Sequence, residues 1–409
     1  MNLTARHLFT IFCASTLSPF AVSSELAVPL REIGAPDSFA PHMAVTGDGQ
    51  VVMNWLEPTS DGNALRFAVM GEEHWGAPRT VAGGNSWFVN WADFPSVVPI
   101  KGEFWVAHWL VSQPAGGYAY DVVLAISNDA GQSWDQPFTL HNDFTATEHG
   151  FVSIFSQDES AGVIWLDGRN MPVGGTEHGV HGTSEGMTLR SAQITSDGRI
   201  QQRQQVDGLV CDCCQTDMAI SHSGAVAVYR NRTEDEIRDI YFARLIEGQW
   251  SPGQPVSSDN WEISGCPVNG PAIAARGEKL AVAWYTAAKD QPTVKLAFSR
   301  EQGNGFQPAV VIDSANPLGA ADVLLLDNGD AVVSWLAETA DGNAQLRIQR
   351  VSPSGVKGTD HLVAVTSMGR MTGFPQMVAA GKRIVLAWTD RVEKKKVVKS
   401  AWVPLESIQ

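Results

Sequence analysis

The chain has 409 residues, of which 44% are hydrophobic and 18% charged, so it is long enough to bury a large core. Its formal net charge of −15 argues against nucleic acid or an anionic membrane surface as a partner. The 38 glycines and 21 prolines are scattered along the chain, as in a turn-rich globular protein.

Residues 1–24 have the pattern of a secretory signal peptide. Arg6 supplies the positive start, an apolar run extends from Leu8 to Leu17, and Ala21-Val22-Ser23 offers a small-residue cleavage site. The apolar run is too short to span a bilayer, and no later stretch is long and apolar enough to do so. We therefore expect an exported protein, periplasmic or secreted, with no membrane span. Residues 25–409 should form its single domain.

One pattern recurs seven times along that domain, a short apolar run that ends in an aromatic residue. The aromatic residues are Trp55, Trp109, Trp165, Tyr229, Trp284, Trp335 and Trp388, at spacings of 54, 56, 64, 55, 51 and 53 residues. A nearly fixed period of this size indicates a repeat architecture. Three further short strands, separated by turns, surround each run, and four such strands make one propeller blade.

The repeat predicts an all-β fold, a β-propeller of seven blades with four antiparallel strands each. Six blades with an irregular insertion is the alternative. The seventh repeat, from about Phe374 to Pro404, has room for only three strands. We expect the run LAVPLREI, which begins at Leu26, to pair near Ala401 as the missing strand. Such closure would remove exposed sheet edges.

Residues 127–134 read SNDAGQSW, which resembles the Asp-box S-x-D-x-G-x-T/S-W of the sialidase-like (BNR-repeat) β-propeller superfamily. In that superfamily the motif forms the turn between the third and fourth strands of a blade, and it stands in that place here. Its physics is local, because Asp caps backbone N–H groups, Gly adopts a positive φ and Trp packs under the blade. The resemblance therefore implies the fold and leaves the activity open.

Sialidases of this superfamily share a Phe-Arg-Ile-Pro segment, an arginine clamp, a Tyr–Glu nucleophile pair and an Asp acid. The corresponding first loop here reads FAPH, from Phe39 to His42, and has no arginine. The sequence thus does not support sialidase-type hydrolysis. A glycoside hydrolase with different catalytic carboxylates is the alternative. The carboxylates available for it are Asp93, Glu148, Asp167, Asp217, Glu236 and Asp239.

The loops between blades and those between second and third strands open on one face, and they form a funnel around the axis. On that face lie the candidate ligand-binding residues Trp87, Trp91, Arg169, Arg230, Arg232 and Arg370. Arginine can bind a carboxylate or sulfate through two hydrogen bonds, and Trp can stack on a sugar ring or pack at a blade junction. The expected ligand is a small molecule, a glycan or a metal ion.

All four cysteines beyond the signal segment fall in two adjacent inter-blade loops, as Cys211, Cys213, Cys214 and Cys266. One interpretation is purely structural disulfides, with Cys211 or Cys213 bonded to Cys266, in a protein-interaction domain. A second is a soft-metal site for copper or zinc, completed by His149, His178, His181 or Met371. A third is thiol redox chemistry at a reactive pair. The leading hypothesis is an exported ligand-binding or metal-handling protein.

Overall fold

The computed structural model describes residues 26–171, 186–300, 305–369 and 372–409. The predicted signal peptide and four candidate site residues, His178, His181, Arg370 and Met371, lie outside the described residues. The described strands form seven antiparallel sheets, each of which is one blade, as the seven-blade prediction requires. The six-blade alternative is wrong.

In blades one to three, five and six the strands pair in chain order. Blade one contains β2 (Phe39–Val45), β3 (Val51–Thr59), β4 (Gly62–Val69) and β5 (Arg79–Gly84). Blade two contains β6 (Ser96–Lys101), β7 (Phe104–Ser112), β8 (Tyr120–Ser127) and β9 (Phe138–Thr139). Blade three contains β10 (His149–Gln157), β11 (Ser160–Asp167), β12 (Met187–Ile194) and β13 (Ile200–Val210). Blade four contains β14 (Asp217–Ser221), β15 (Gly224–Arg230), β16 (Ile240–Ile246), β17 (Gln249–Trp250) and β18 (Gln254–Pro255). Blade five contains β19 (Ala272–Arg276), β20 (Lys279–Thr286), β21 (Thr293–Phe298) and β22 (Val310–Asp313). Blade six contains β23 (Pro317–Leu325), β24 (Ala331–Glu338), β25 (Ala344–Val351) and β26 (Lys357–Thr366).

Blade seven contributes three consecutive strands, β27 (Gln376–Ala380), β28 (Arg383–Val392) and β29 (Lys395–Pro404). The short strand β1 (Val28–Pro29) lies antiparallel beside β29, with Val28 opposite Trp402 and Pro29 opposite Ala401. Two of the eight residues predicted for this strand therefore pair, at the predicted position. Among the described residues, no helix is long and apolar enough to cross a membrane.

The aromatic residues that end the apolar runs lie in the second strands and are buried between blades. Trp165, Trp284 and Trp335 are each about 1% exposed. Their indole N–H groups donate to carboxylates at 2.8 to 2.9 Å, as those of Trp165 to Asp167 and Trp335 to Asp313 show. The indole buries a large apolar area while its polar edge keeps a partner, which explains why the repeat selects Trp at this position.

The turn that the sequence compares to an Asp-box is held by its own side chains. Asp129 accepts hydrogen bonds from the amide and the hydroxyl of Ser133, at 2.8 and 2.5 Å. Ser127 Oγ accepts the Gly131 amide at 2.8 Å, and Gly131 has φ +74°. Trp134 then packs edge-on against Phe67 of the preceding blade. The motif thus closes its turn and contacts the neighbouring blade.

An axial cavity of about 670 Å³ is lined by the innermost strands and the residues just before them. Carboxylates on this lining bind the backbone of the next blade. Asp217 Oδ2 accepts the Ile273 amide at 2.8 Å, and Asp322 Oδ2 accepts the Met377 amide at 2.7 Å. These bonds fix adjacent blades to one another. Asp217, a candidate catalytic residue, therefore has a structural role in this fold.

Candidate functional site

The four cysteines meet where the loops before blades four and five approach each other. Cys213 and Cys266 form a disulfide across a sequence separation of 53 residues, so the predicted disulfide between these loops is confirmed. Cys211 and Cys214 are free and buried, and their sulfurs lie 2.6 Å apart. These two loops are therefore joined by the Cys213–Cys266 disulfide, and the free thiols of Cys211 and Cys214 lie beside it.

The free thiols differ in their electrostatic surroundings. Burial by itself raises the pKa of Cys211, but the hydrogen bond with Cys214 and the positive charge of Arg238 outweigh it and bring the pKa to about 7. Arg238 Nη1 lies 3.6 Å from Cys211 Sγ. Burial and the neighbouring Cys211 both raise the pKa of Cys214. Cys211 is thus the thiol that ionises first.

Arg238 belongs to an ion-pair network in the loop between β15 and β16 of blade four. Glu236 Oε1 lies 2.6 Å from Arg232 Nη2, and its Oε2 lies 2.7 Å from Arg238 Nη2. Arg232 also lies 3.4 Å from a carboxylate oxygen of Asp212. Because these arginines are buried, Glu236 is their counter-charge. Burial raises the pKa of Glu236, but the hydrogen bonds from both arginines outweigh this effect and bring the pKa below its usual range.

Arg230, which the sequence placed at the funnel, is 2% exposed and directs its guanidinium into the protein. It donates to the backbone carbonyls of Arg238, Asn269 and Tyr285, each at 2.7 Å. The guanidinium also lies over the ring of Trp261, 4.9 Å from its centroid. Arg230 therefore ties blade four to blade five, and it cannot clamp an external carboxylate in this conformation.

His149 does not join the thiols but lies at the junction of blades two and three. Its Nε2 is 3.1 Å from Asp143 Oδ2 and 3.9 Å from Asp167 Oδ2. Arg169 Nε lies 2.6 Å from Asp167 Oδ1 on the other side of that carboxylate. Among the described residues, the groups close enough to share a metal ion are Cys211 with Cys213 and Cys214; Asp121 with His141 and His149; Asp143 with His149 and Asp167. The thiols and the imidazoles thus form separate groups.

The sequence reasoning missed three members of this second cluster. His141 stacks on His149 with ring centroids 3.6 Å apart, and its Nδ1 lies 2.9 Å from Asp143 Oδ1. Its Nε2 lies 3.1 Å from Asp121 Oδ1. Burial lowers the pKa of His141, but Asp121 and Asp143 raise it to about 9. Burial raises the pKa of Asp143, whereas hydrogen bonds from His141 and His149 take it well below its usual range. The segment His141-Asn-Asp143 before His149 was the available signal.

A third polar group surrounds the hydroxyl of Tyr120, which donates to Asp93 Oδ2 at 3.0 Å and to Glu148 Oε1 at 2.8 Å. Asp93 also accepts the amide of Phe151 at 2.8 Å. Burial raises the pKa of Asp93 to about 7, although the hydrogen bonds from Phe151 and Tyr120 lower it in part. Burial also raises the pKa of Glu148 to about 8, assisted by the charge of Asp93. Sequence reasoning found both carboxylates but not the tyrosine between them.

The two candidate tryptophans pack against other aromatic rings, Trp87 within blade two and Trp91 against the loop before blade seven. The ring of Trp87 stacks on Trp109 with centroids 5.5 Å apart, and Trp91 stacks on Phe374 at 6.0 Å. Both residues are half-buried, so one part of each indole reaches the surface. Both tryptophans therefore pack against neighbouring aromatic rings, which is the alternative to stacking on a sugar ring.

Comparison with known proteins identifies the fold. No family model matches the chain, and no curated protein matches it. An ulvan lyase described as a new family of polysaccharide lyase, bound to a glucuronic acid–sulfated rhamnose unit, is 12% identical. That match covers 92% of this chain and 96% of the lyase, with a TM-score of 0.54. A Hadza microbial sialidase is 13% identical over 86% of this chain and 75% of the sialidase, with a TM-score of 0.52. At these identities the likeness shows the fold alone, a sialidase-like β-propeller.

Proposed function

Starting from this sialidase-like β-propeller, we propose that the protein is an exported binding protein for a soft metal ion, Cu(I), held between Cys211 and Cys214. The observation that supports the proposal is the pair of free, buried sulfurs 2.6 Å apart. Thiolates are the ligands that Cu(I) prefers. The Cys-x-x-Cys spacing from Cys211 to Cys214 brings the two sulfurs together within a single loop.

The disulfide sets the number of thiols available. Because Cys213 is bonded to Cys266, two of the four sulfurs are used to join the loops and two remain as ligands. A metal–thiolate bond is roughly 2.3 Å long, so two thiolates on one ion would lie farther apart than the present 2.6 Å. A disulfide between them would instead close the distance to about 2.05 Å. Metal binding and oxidation therefore move the same two side chains in opposite directions.

The charges around the thiols favour an anionic ligand set. Arg238 and Arg230 both lower the pKa of Cys211, so that thiol loses its proton near neutral pH. A Cu(I) ion between two thiolates leaves a net negative centre, which the buried guanidinium of Arg238 can offset. Binding should release the proton of Cys214 and should weaken as the pH falls.

The test is an anaerobic Cu(I) titration against a competing chelator, together with a free-thiol count and elemental analysis of protein from its native compartment. The expected result is one equivalent of copper per chain, lost in C211S and in C214S and kept in the control C213S/C266S. If the native protein has no free thiols and no metal, and takes up no Cu(I) after mild reduction, the proposal fails. The cysteines would then be structural, as in the protein-interaction alternative.

A second candidate, glycoside hydrolysis, is favoured by the carboxylates around Tyr120. Because Asp93 and Glu148 both accept from the same hydroxyl, at 3.0 and 2.8 Å, their oxygens can be no more than 5.8 Å apart. Retaining glycosidases place their two carboxyl groups about 5–5.5 Å apart. Two solved structures with this fold are named as enzymes that act on glycans.

A screen with chromogenic glycosides tests this candidate. Turnover that is abolished in D93N and E148Q, and retained in D217N, would support it. The D217N control is matched because Asp217 also lines the axial cavity and also binds the amide of the next blade. Absence of turnover across neutral and acidic sugars, in folded protein, would exclude it.

A further inference from the structure

The imidazole of His149 is fixed in one orientation by the backbone. The side chain is fully buried, and Nδ1 lies 3.2 Å from the carbonyl oxygen of Thr147 and 3.3 Å from that of Tyr120. A carbonyl oxygen can only accept a hydrogen bond, so Nδ1 carries a proton. The other nitrogen, Nε2, therefore faces the carboxylates of Asp143 and Asp167, at 3.1 and 3.9 Å.

This arrangement favours a positive charge at Nε2, either a proton shared with Asp143 or a cation between Nε2 and the two carboxylates. In a neutral imidazole with its proton on Nδ1, Nε2 is a bare acceptor, and it would face acceptor oxygens inside the protein. Bonds of 2.0–2.2 Å from a zinc ion to nitrogen and oxygen place neighbouring ligand atoms roughly 3.0–3.6 Å apart. The separation of 3.1 Å from Asp143 fits that range, and the 3.9 Å from Asp167 needs only a small closure.

The carboxylates are oriented by further donors, as ligands of a metal ion usually are. The indole of Trp165 donates to Asp167 Oδ2 at 2.8 Å, and Arg169 Nε donates to Asp167 Oδ1 at 2.6 Å. The amide of Thr145 donates to Asp143 Oδ2 at 3.3 Å. A metal-bound histidine commonly donates the N–H of its other ring nitrogen to a backbone carbonyl. The Nδ1 of His149 makes this hydrogen bond.

His141 provides a second, independent observation. Its side chain is 3% exposed and stacks on His149, and its Nε2 forms an ion pair with Asp121 at 3.1 Å without the alignment of a hydrogen bond. Buried polar atoms nearly always have partners, and an exception points to an ion or water at that place. The polar groups of this cluster are therefore not all satisfied by one another.

We propose that His149 Nε2, Asp143 and Asp167 form a site for a divalent cation, Zn²⁺, at the junction of blades two and three. One imidazole and two carboxylates suit a borderline cation and not the soft Cu(I) proposed for the thiols. Arg169, 20% exposed at its side chain, forms ion pairs with both carboxylates, at 2.6 Å from Asp167 Oδ1 and 3.3 Å from Asp143 Oδ1. The site does not rest on the proposed function, because it shares no residue with the thiol pair.

The experiment is a calorimetric titration of chelator-treated, full-length protein with Zn²⁺ alone, with the thermal midpoint as a second readout. We expect one equivalent to bind, to release protons and to raise the midpoint, since a ligand of the native state stabilises it. H149Q and D143N should each weaken binding at least tenfold, whereas D217N should bind as wild type does. Equal affinity in all of these variants would overturn the proposal, as would absence of binding.

X-ray absorption at the zinc edge separates this site from the thiols, and it does not depend on how well the variants fold. A first shell of nitrogen and oxygen at about 2.0–2.2 Å supports the proposal. A shell that contains sulfur at about 2.3 Å would place the ion on Cys211 and Cys214 and would overturn it.

Discussion

The guanidinium of Arg238 lies 3.6 Å from the sulfur of Cys211, and both side chains are almost fully buried. Arg238 is also paired with Glu236, which it shares with Arg232. The charge that stabilises the Cys211 thiolate therefore comes from an ion-pair network in a different loop of the same blade. This connection means that the reactivity of the thiol pair can be changed without touching a cysteine.

The first prediction concerns that charge. R238Q should raise the pKa of Cys211 by about 1–3 units, because a positive charge within reach of a thiolate lowers the thiol pKa by that order. The measurement is the ultraviolet absorbance of the thiolate as a function of pH. R199Q is the control, since Arg199 is 76% exposed at its side chain and its ion-pair partner Asp197 is 57% exposed. An unchanged titration in R238Q would contradict the prediction.

The second prediction concerns the disulfide. Because Cys213 and Cys266 are 53 residues apart in sequence, their bond restricts a long loop of the unfolded chain. The chain-entropy relation gives about 4 kcal/mol for such a loop, so C213S/C266S should lose unfolding free energy of that order in urea. Addition of a reductant to wild type should give a similar loss. C211S/C214S, which breaks no disulfide, should lose much less.

The sequence predicted the fold because the repeat carries its own physical signal. The apolar runs are the second strands, and the Trp that ends most of them is buried between blades. The position of the cysteines also followed from the repeat, since inter-blade loops must meet on one face. The pairing did not follow, because three cysteines within four positions give nearly equal spacings to Cys266, and side-chain direction decides between them.

Other site residues could not be read from the sequence because their roles depend on distant backbone. Arg230 was expected to face the funnel, but the carbonyls of Asn269 and Tyr285 on blade five hold it inside. The cluster around His149 draws Asp121 and Asp143 from blade two and Asp167 from blade three. The segment from His141 to His149 is local in the chain, but Asp121 and Asp167 lie on strands of two different blades, and only the packing of those blades brings them to it.

The third prediction uses the raised pKa of Glu148, about 8 in the folded protein against 4.5 as the ordinary value. The folded state holds this proton more tightly than the unfolded state, so the stability it contributes is present below about pH 4.5 and is lost as the pH rises towards 8. E148Q removes the titration. Between about pH 5 and pH 8, the unfolding free energy of wild type should fall relative to E148Q by a few kcal/mol.

The difference in unfolding free energy between wild type and E148Q should be measured by urea unfolding of both proteins at each pH. The contributions of groups that titrate in the same way in both proteins then cancel. E159Q is a suitable control, since Glu159 is 79% exposed at its side chain. An unchanged stability difference between wild type and E148Q over this interval would show that Glu148 ionises normally, and it would contradict the prediction.

The fourth prediction concerns Tyr120, whose hydroxyl donates to both Asp93 and Glu148. Y120F removes the donor and leaves two buried carboxylates without it, which should cost about 1–3 kcal/mol. The loss should be larger above about pH 8, where the carboxylates are ionised, than near pH 5, where a protonated carboxyl group can donate instead. Unfolding of wild type and Y120F at the two pH values tests this, and an equal loss at both would contradict the prediction.

The fifth prediction joins the ion-pair network to the thiols through E236Q. Glu236 is the shared partner of the buried Arg232 and Arg238, so removing its charge leaves two guanidinium groups less well compensated. A buried pair that loses one partner typically costs about 3–5 kcal/mol, and the unfolding free energy should fall by that order. The same change removes a negative charge that opposes Arg238, so the pKa of Cys211 should fall and not rise. A stability loss without a lower thiol pKa would mean that Arg238 leaves Cys211 when Glu236 is neutral.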